Sequence, residues 1–345
     1  MSKPQLELVV PGLLGPVTDA AAVARLQPEL TTLGELLTRA TVQRSGHDDA
    51  LASVFAPFGC SVSEIAPAAA ARAGEPDAQD RSPADRWWVR VDPVHLRVDA
   101  THARLFGGYA LGLQSDESEA LIARLNEFFA ADGVVFEAPD PQRWYIGLEH
   151  DQDLQSYSPQ RVAGRNVDAF MPSGTDARRW RAWLNEAQML LHDAPVNRER
   201  EQRGALPVNS LWPWGGGRRP ALGEAPQRVW TDEPIARGLG RLAQSTVDDL
   251  PQSLADIQWG SGRTLAVYAG LHEPLVHGDI EGWLAALAAF ERDWLVPLRQ
   301  ALRARALDSV TIEPVSGLSY RLTRGHLRRF WRRPRAWTQS LVEDK

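Results

Sequence analysis

The sequence predicts an α/β protein: a mixed, mostly parallel sheet flanked by helices, interrupted by a small inserted α+β domain. Three observations lead there. Gln5 to Val10 alternates, with Leu6, Leu8 and Val10 on one face, and Pro11-Gly12 ends the run, which is the pattern of a strand. After residue 206, short apolar runs alternate with helical stripes, as in a parallel or mixed sheet covered by helices. Between them, residues 87–205 carry strands followed by helices, the order of an α+β unit. The N-terminal strand is therefore expected to join the later sheet. Residues 1–86 and 206–345 would form one discontinuous core, with 87–205 inserted.

In chain order, Thr31 to Thr41 reads as a helix with Leu33, Leu36 and Leu37 inward, and Asp48 to Phe55 as a second. Ala66 to Arg86 is rich in Ala, Pro, Asp and Arg without apolar periodicity, and reads as a flexible linker. Trp87 to Val98 reads as a strand pair or a strand bent at Pro93, and Ala103 to Phe106 as another strand. Asp116 to Ala130 puts Leu121, Ile122, Leu125, Phe128 and Phe129 on one helical face. Ser115 or Asp116 is its cap and Asp132-Gly133 its stop. Val134 to Glu137 and Arg143 to Leu148 form a hairpin around Pro139-Asp140-Pro141. Asp176 to His192 is a helix with Trp180, Trp183, Leu184, Ala187, Leu190 and Leu191 as its stripe. Arg228 to Trp230 is a short strand, and Pro234 suits the first turn of the next helix. Thr264 to Tyr268 is a buried strand. Asp279 caps a long helix through Trp283, Leu287, Phe290, Trp294 and Leu298, and Val310 to Ile312 is a further strand.

The 345 residues, 43% of them hydrophobic, suffice for a large core, and the length suits about two domains. A net charge of −6 gives no global attraction to nucleic acid or an anionic membrane. Cys60 is the only cysteine, which excludes an internal disulfide and a cysteine-based zinc site and fits a reducing compartment. Leu6 to Val17 is broken by Pro11-Gly12 and lacks the basic start of a signal peptide. No apolar run reaches the length of about 18 residues that a membrane span needs, so the expected location is the cytoplasm. The thirteen tryptophans serve mostly as core anchors.

Leu206-Pro-Val-Asn-Ser-Leu-Trp-Pro-Trp-Gly-Gly-Gly217 reads as an apolar strand running into a glycine turn. Pro213 lacks an N–H and argues against a central strand. Two readings follow. Gly215, Gly216 and Gly217 with Arg218 and Arg219 form an anion-binding nest, with Asn209 as a further polar contact. Alternatively, tryptophans plug a core turn and the two arginines are solvated.

Asp92-Pro-Val-His-Leu-Arg97, Leu125-Asn-Glu-Phe-Phe-Ala-Ala-Asp-Gly133, Arg143-Trp-Tyr145, Leu184-Asn-Glu-Ala-Gln-Met-Leu-Leu-His192 and Pro207-Val-Asn-Ser-Leu-Trp212 carry a resemblance, over nearly the whole chain, to the bacterial RpfE-type regulatory protein family. More distantly, the layout resembles the archaeal-type cofactor-independent phosphoglycerate mutases of the alkaline-phosphatase-like superfamily. Val9-Val10-Pro11-Gly12 stands where that family has a strand entering an Asp-Gly turn. Trp212-Pro-Trp-Gly-Gly-Gly217 stands at its Trp-Leu-Trp-Gly-Gln-Gly strand end, and Glu273-Pro-Leu-Val-His277 at its Asp-x-x-x-His pair. The resemblance implies an alkaline-phosphatase-like core and places residues 206–217 back in the core sheet at a cleft floor. It also implies a two-metal phosphoryl-transfer site.

This sequence departs from that pattern. The first metal-binding Asp falls at Pro11, which cannot coordinate. The late Asp-His pair has no counterpart, because after Ile312 the chain reads Glu313-Pro-Val-Ser-Gly317. Ser53 lies near the place of a nucleophile, but nothing singles it out from Ser45, Ser61 or Ser63. The expectation is a kept fold with lost metal chemistry: a pseudoenzyme with a regulatory or anion- or metabolite-binding role. An active phosphomutase or phosphatase with atypical ligands is the alternative.

Under that alternative, Glu273 and His277, joined by His272, would hold a divalent metal (Mn, Zn or Mg), with Arg218 and Arg219 on the phosphate. The plainer reading is a capped helix entry, since one pair supplies too few ligands for a tight site. No other cofactor is expected. His95 and His102 read as packing or surface residues, and His192 as a helix terminus. Asn185, Gln188 and Asn209 are candidates for polar cleft contacts. Arg321, Arg324, Arg328, Arg329, Arg332, Arg333 and Arg335, with Phe330 and Trp331 among them, make a basic tail for nucleic acid, anionic lipid or an acidic protein. The other reading of the tail is a helix lying on the acidic remainder. A small phosphorylated or anionic metabolite and a protein partner are the expected partners. Whole-chain charge argues against nucleic acid, and no membrane is expected.

Overall fold

A computed structural model describes residues 3–17, 23, 30–46, 49–78, 86–98, 103–162, 165–255, 257–276, 278–333 and 335–341. In chain order the first elements are β1 (Gln5–Val9), α1 (Thr31–Arg39), β2 (Thr41–Arg44), α2 (Ala50–Phe55) and α3 (Pro67–Gly74). Next come β3 (Trp87–Val98), β4 (Ala103–Gly107), α4 (Ser115–Phe129), β5 (Phe136–Asp140), β6 (Arg143–Leu148), α5 (Ala177–His192) and α6 (Pro195–Gln202). The chain continues through β7 (Ser210–Gly217), β8 (Arg228–Thr231), α7 (Pro234–Leu242), β9 (Thr246–Asp248) and β10 (Arg263–Val267). It ends with α8 (Ile280–Phe290), α9 (Val296–Ala304), β11 (Ser309–Glu313) and β12 (Leu318–Thr323).

Two compact units result, Met1–Ile65 with Ala221–Lys345, and Ala66–Pro220. The first is the α/β unit. Its seven strands run β2-β12-β11-β1-β10-β8-β9. β1 pairs in parallel with β10 and β11, and β8 in parallel with β10 and β9, while β12 is antiparallel to both β11 and β2. The sheet is therefore mixed and mostly parallel, as the alternation of strands and helices predicts. β1 sits in its middle and buries Leu6, Leu8 and Val9. Leu6, Leu8 and Val10 share one apolar cluster with Leu33, Leu36, Trp283 and Phe290.

Helix α1 owes its ends to groups far away in sequence. The Glu291 carboxylate accepts from the backbone N–H of Thr32 (3.1 Å) and Leu33 (2.9 Å). A carboxylate there satisfies two orphan donors and complements the helix dipole. At the other end, Arg329 donates to the Arg39 carbonyl (3.0 Å) and Arg332 to the Ala40 carbonyl (2.9 Å). Asp279 caps α8 through the Gly282 N–H, as expected. Gln114 caps α4 in place of Ser115 or Asp116, because it forms a capping box with Glu117.

The second unit is built on the 12-residue strand β3. β6 pairs with its first half, β4 with its second, and β7 antiparallel across both. Helices α4 and α5 pack their stripes on this sheet, burying Leu121, Leu125, Phe129, Trp180 and Leu184.

Two sequence expectations are corrected here. The described part of Ala66 to Arg86 is no linker: residues 67–74 form α3, with Ala68 to Ala71 and Arg72 buried. Alanines carry the buried face, so the apolar periodicity that marks a helix is weak. Arg72 is fully buried because Asp77 and Glu137 pair with it (2.8 and 2.7 Å). Residues 206–217 do not re-enter the first unit's sheet. β7 pairs with β3, and Pro213 is tolerated because β7 has β3 as its strand partner on one side only.

Candidate functional site

Gly215 to Gly217 lie at the end of β7, and protein fills the space beside them. A Cβ on Gly216 would stand 2.3 Å from the Trp87 ring, and one on Gly217 2.6 Å from the Ala66 side chain. Gly215 has φ +69°, and a Cβ there would meet Pro67 at 3.1 Å. The glycines let α3 and Trp87 close onto β7. On the side where these Cβ atoms would stand, the turn is therefore closed by protein. Arg218 pairs with Asp151 and donates to the Glu149 carbonyl (2.8 Å), and Arg219 is exposed. Asn209 is used at both ends of its amide, accepting from Leu96 N–H (2.7 Å) and donating to Leu96 C=O (2.9 Å). It extends the ladder beside β3 in place of a backbone strand.

Asn185 and Gln188, on α5, line a cavity of ≈ 140 Å³ with Arg181, Ser210 and Trp212. Gln188 donates to the Ser210 hydroxyl (2.9 Å). His95 hydrogen-bonds the Pro207 carbonyl (2.9 Å) and packs on Phe106. Ser53 is buried in α2, and His102 lies outside the described residues.

The strand ends of the first unit are the other candidate. β1, β8, β10 and β11 run parallel, so their C-terminal ends open on one sheet edge, where ligands of open α/β sheets sit. After β1, Pro11 is buried and offers no side-chain donor. Gly12 has φ +84°, and a Cβ there would stand 2.7 Å from the Leu271 carbonyl oxygen. The Gly12 carbonyl accepts from the buried Trp283 indole N–H (2.9 Å). Apolar packing therefore occupies the place where the family resemblance puts a metal-binding Asp.

After β8, Glu233 caps α7 through the Ala236 N–H (2.8 Å). After β10, Tyr268 packs against Phe290 and Trp294, and burial lowers the His272 imidazole below its usual range. Glu273 is exposed at the start of the short helical turn His272–Val276, and His277 lies outside the described residues.

After β11 stands a residue that sequence reasoning passed over. Burial pushes the Glu313 carboxyl up to about 7, although Val315 N–H (3.1 Å) and the Ser45 hydroxyl hydrogen-bond it. Val315 holds φ +61°, a strained conformation for a β-branched residue, and the Ser316 hydroxyl is buried without a hydrogen-bond partner. The Glu313 carbonyl accepts from Val10 N–H (2.8 Å), tying this turn to the end of β1. The signal in the sequence was one Glu directly after an apolar run, entering Pro-Val-Ser-Gly. A perturbed carboxyl beside backbone strain at a strand end makes this edge a candidate site.

These donors do not fit a two-ion centre. Pro11 gives none, and Glu273 is exposed. Among the described residues no three His, Cys, Asp or Glu side chains cluster to hold a metal. No helix there is long and apolar enough to cross a membrane.

The raised Glu313 carboxyl has a signed consequence for stability. Its folded value, about 7, lies above its ordinary value of 4.5. Its contribution is full below about pH 4.5 and is lost as pH rises towards about 7. After discounting for partial exposure the loss is on the order of 1–2 kcal/mol. The urea midpoint of Glu313→Gln, followed across that window, is expected to lack this slope. A slope equal to wild type would remove Glu313 as its source.

No family model matches the chain. A 2,3-bisphosphoglycerate-independent phosphoglycerate mutase of Methanosarcina mazei is 29% identical over 137 residues, 38% of this chain and 34% of that protein. One of Methanothrix thermoacetophila is 25% identical over 214 residues, covering 56% and 54%. A third, mutase 2 of Methanothermobacter thermautotrophicus, is 32% identical over 227 residues, covering 59% and 49%. The matches thus span a third to about half of the length of these relatives. Among solved structures, a protein of Pyrococcus horikoshii matches with TM-score 0.52 at 13% identity, covering 94% of this chain and 88% of that one. The cofactor-independent phosphoglycerate mutase of Thermoplasma acidophilum matches with TM-score 0.45 at 17% identity, covering 94% and 90%. The chain is similar, at low identity and over part of their length, to 2,3-bisphosphoglycerate-independent phosphoglycerate mutases.

Proposed function

We propose that this chain is a catalytically degenerate phosphoglycerate-mutase-like protein that acts by binding a small anionic or phosphorylated metabolite. The regulatory role implied by the RpfE-type resemblance belongs to the same reading. One observation carries it. At the end of the central strand, where phosphoryl transfer by two metal ions would need a carboxylate, Pro11 is buried and Gly12 is closed off by Leu271 and Trp283. Binding without metal chemistry fits a strand-end edge that keeps polar groups, Glu313 and Ser45 among them, without a metal donor set.

The test uses the purified full-length chain with Mn²⁺ or Zn²⁺, a coupled phosphoglycerate mutase assay, and metal content measured on the same sample. No metal-dependent turnover is expected. Turnover together with two tightly held ions per chain would overturn the proposal, and its loss in Glu273→Ala would assign Glu273 to the metal instead.

A further inference from the structure

The first unit also holds a cavity of ≈ 760 Å³ between α1, β12 and the segment after His326. Its size suits a small molecule. Leu37, Val42, Tyr320 and Trp337 make an apolar wall, and Trp331, Arg332, Arg333 and Arg335 line the segment's side. The segment is seated, not trailing. Arg335 N–H donates to the Thr38 hydroxyl (3.0 Å), and Gly34 admits the Arg335 carbonyl so closely that a Cβ would lie 2.8 Å from it. Trp337 is buried against Trp283.

Charge is left over after this docking. Residues 321–341 contain seven arginines and no Asp or Glu. Arg329 and Arg332 are spent on the C-terminal carbonyls of α1. The nearby Glu35 is taken by Arg39, Arg299 and Arg303. Among the described residues, the Arg333 and Arg335 guanidinium groups meet no carboxylate. The field is felt locally: burial and then Arg329, with Arg332 and Arg321, hold His326 below its usual range. Trp331 is 67% exposed, lines the cavity and meets the Phe330 ring edge-on at 5.3 Å.

We infer that this cavity binds a small molecule joining a flat aromatic ring to phosphate, of the class of a nucleoside phosphate. Arg333 and Arg335 offer forked donors to phosphate oxygens, and Trp331 offers a stacking face for the ring. Its proposed ligand donors, Arg333 and Arg335, are not residues of the strand-end edge, so metal-dependent turnover would sink the preceding proposal and leave this one standing.

Isothermal titration of the whole protein with ATP, with tripolyphosphate and adenosine in parallel, separates the two halves of the recognition. ATP is expected to bind at least about tenfold more tightly than either fragment. Arg333→Ala with Arg335→Ala, and separately Trp331→Ala, should each weaken ATP by about tenfold or more. Arg321→Ala, exposed and off the cavity, should not. Circular dichroism confirms that these surface variants stay folded. The inference is overturned by absence of ATP binding, by tripolyphosphate binding as tightly as ATP, by equal losses in Arg321→Ala, or by wild-type affinity in the cavity variants. Tighter binding of a short single-stranded RNA than of ATP would also overturn it, replacing the cavity with an extended surface that uses the exposed Phe330 as well.

Discussion

Asp92→Ala is expected to destabilise the 66–220 unit by about 3–5 kcal/mol, the cost of stranding a buried charge. Asp92 lies on β3 and is buried. One carboxylate oxygen accepts from Arg90 Nε (2.9 Å) and Nη2 (2.7 Å), and the other accepts from the Trp214 indole N–H on β7 (2.6 Å). Arg90 is itself sandwiched near the rings of Trp214 and Tyr145, at 4.9 and 5.7 Å. Guanidinium does not lose its proton, so without Asp92 it stays charged and unpaired in the core. Substituting Arg90→Met and Asp92→Leu together should recover most of the loss, since replacing both partners by apolar groups removes the stranded charge. Urea titrations of the single and double variants read this directly. A single-variant cost under about 1 kcal/mol would mean that water reaches the pair.

Gly12→Ala is expected to cost the first unit about 2–4 kcal/mol, from left-handed strain added to overpacking. The position holds φ +84°, and the new methyl would meet the Leu271 carbonyl oxygen at 2.7 Å, a backbone atom that cannot swing aside as a side chain would. Displacement of this turn also loosens the Trp283 hydrogen bond to the Gly12 carbonyl. The two units are separate bodies of chain, so their transitions should be followed with separate probes. A wild-type urea midpoint for the first unit would show that the end of β1 is not held as tightly as these contacts require.

Much of the fold was legible because burial leaves a periodic trace. The alternation of Leu6, Leu8 and Val10 marks β1, and the stripes of α4, α5 and α8 stand where the sequence puts them except for Phe128 of α4, which is 46% exposed. The turn at Gly215 to Gly217 was legible as a close approach but not as to what approaches. A glycine run looks the same whether a phosphate or the Trp87 ring lies against it. Helix α3 was missed because alanine buries little area and scores as neither core nor surface. The site fared worst. Glu313 was visible only as one acid among many, since its carboxyl is raised by burial in the closed chain, which no local window contains.

By itself the sequence determined the fold class, the strand and helix faces, and the lack of a metal ligand at position 11, because these depend on residue type and on short-range spacing. Tertiary structure alone decided which sheet takes residues 210–217 and what fills the glycine turn. It also decided that Arg329 and Arg332 cap α1 and leave Arg333 and Arg335 at a cavity. Those outcomes depend on contacts between residues tens to hundreds of positions apart, where charge is paired or stranded only once the chain has closed around it.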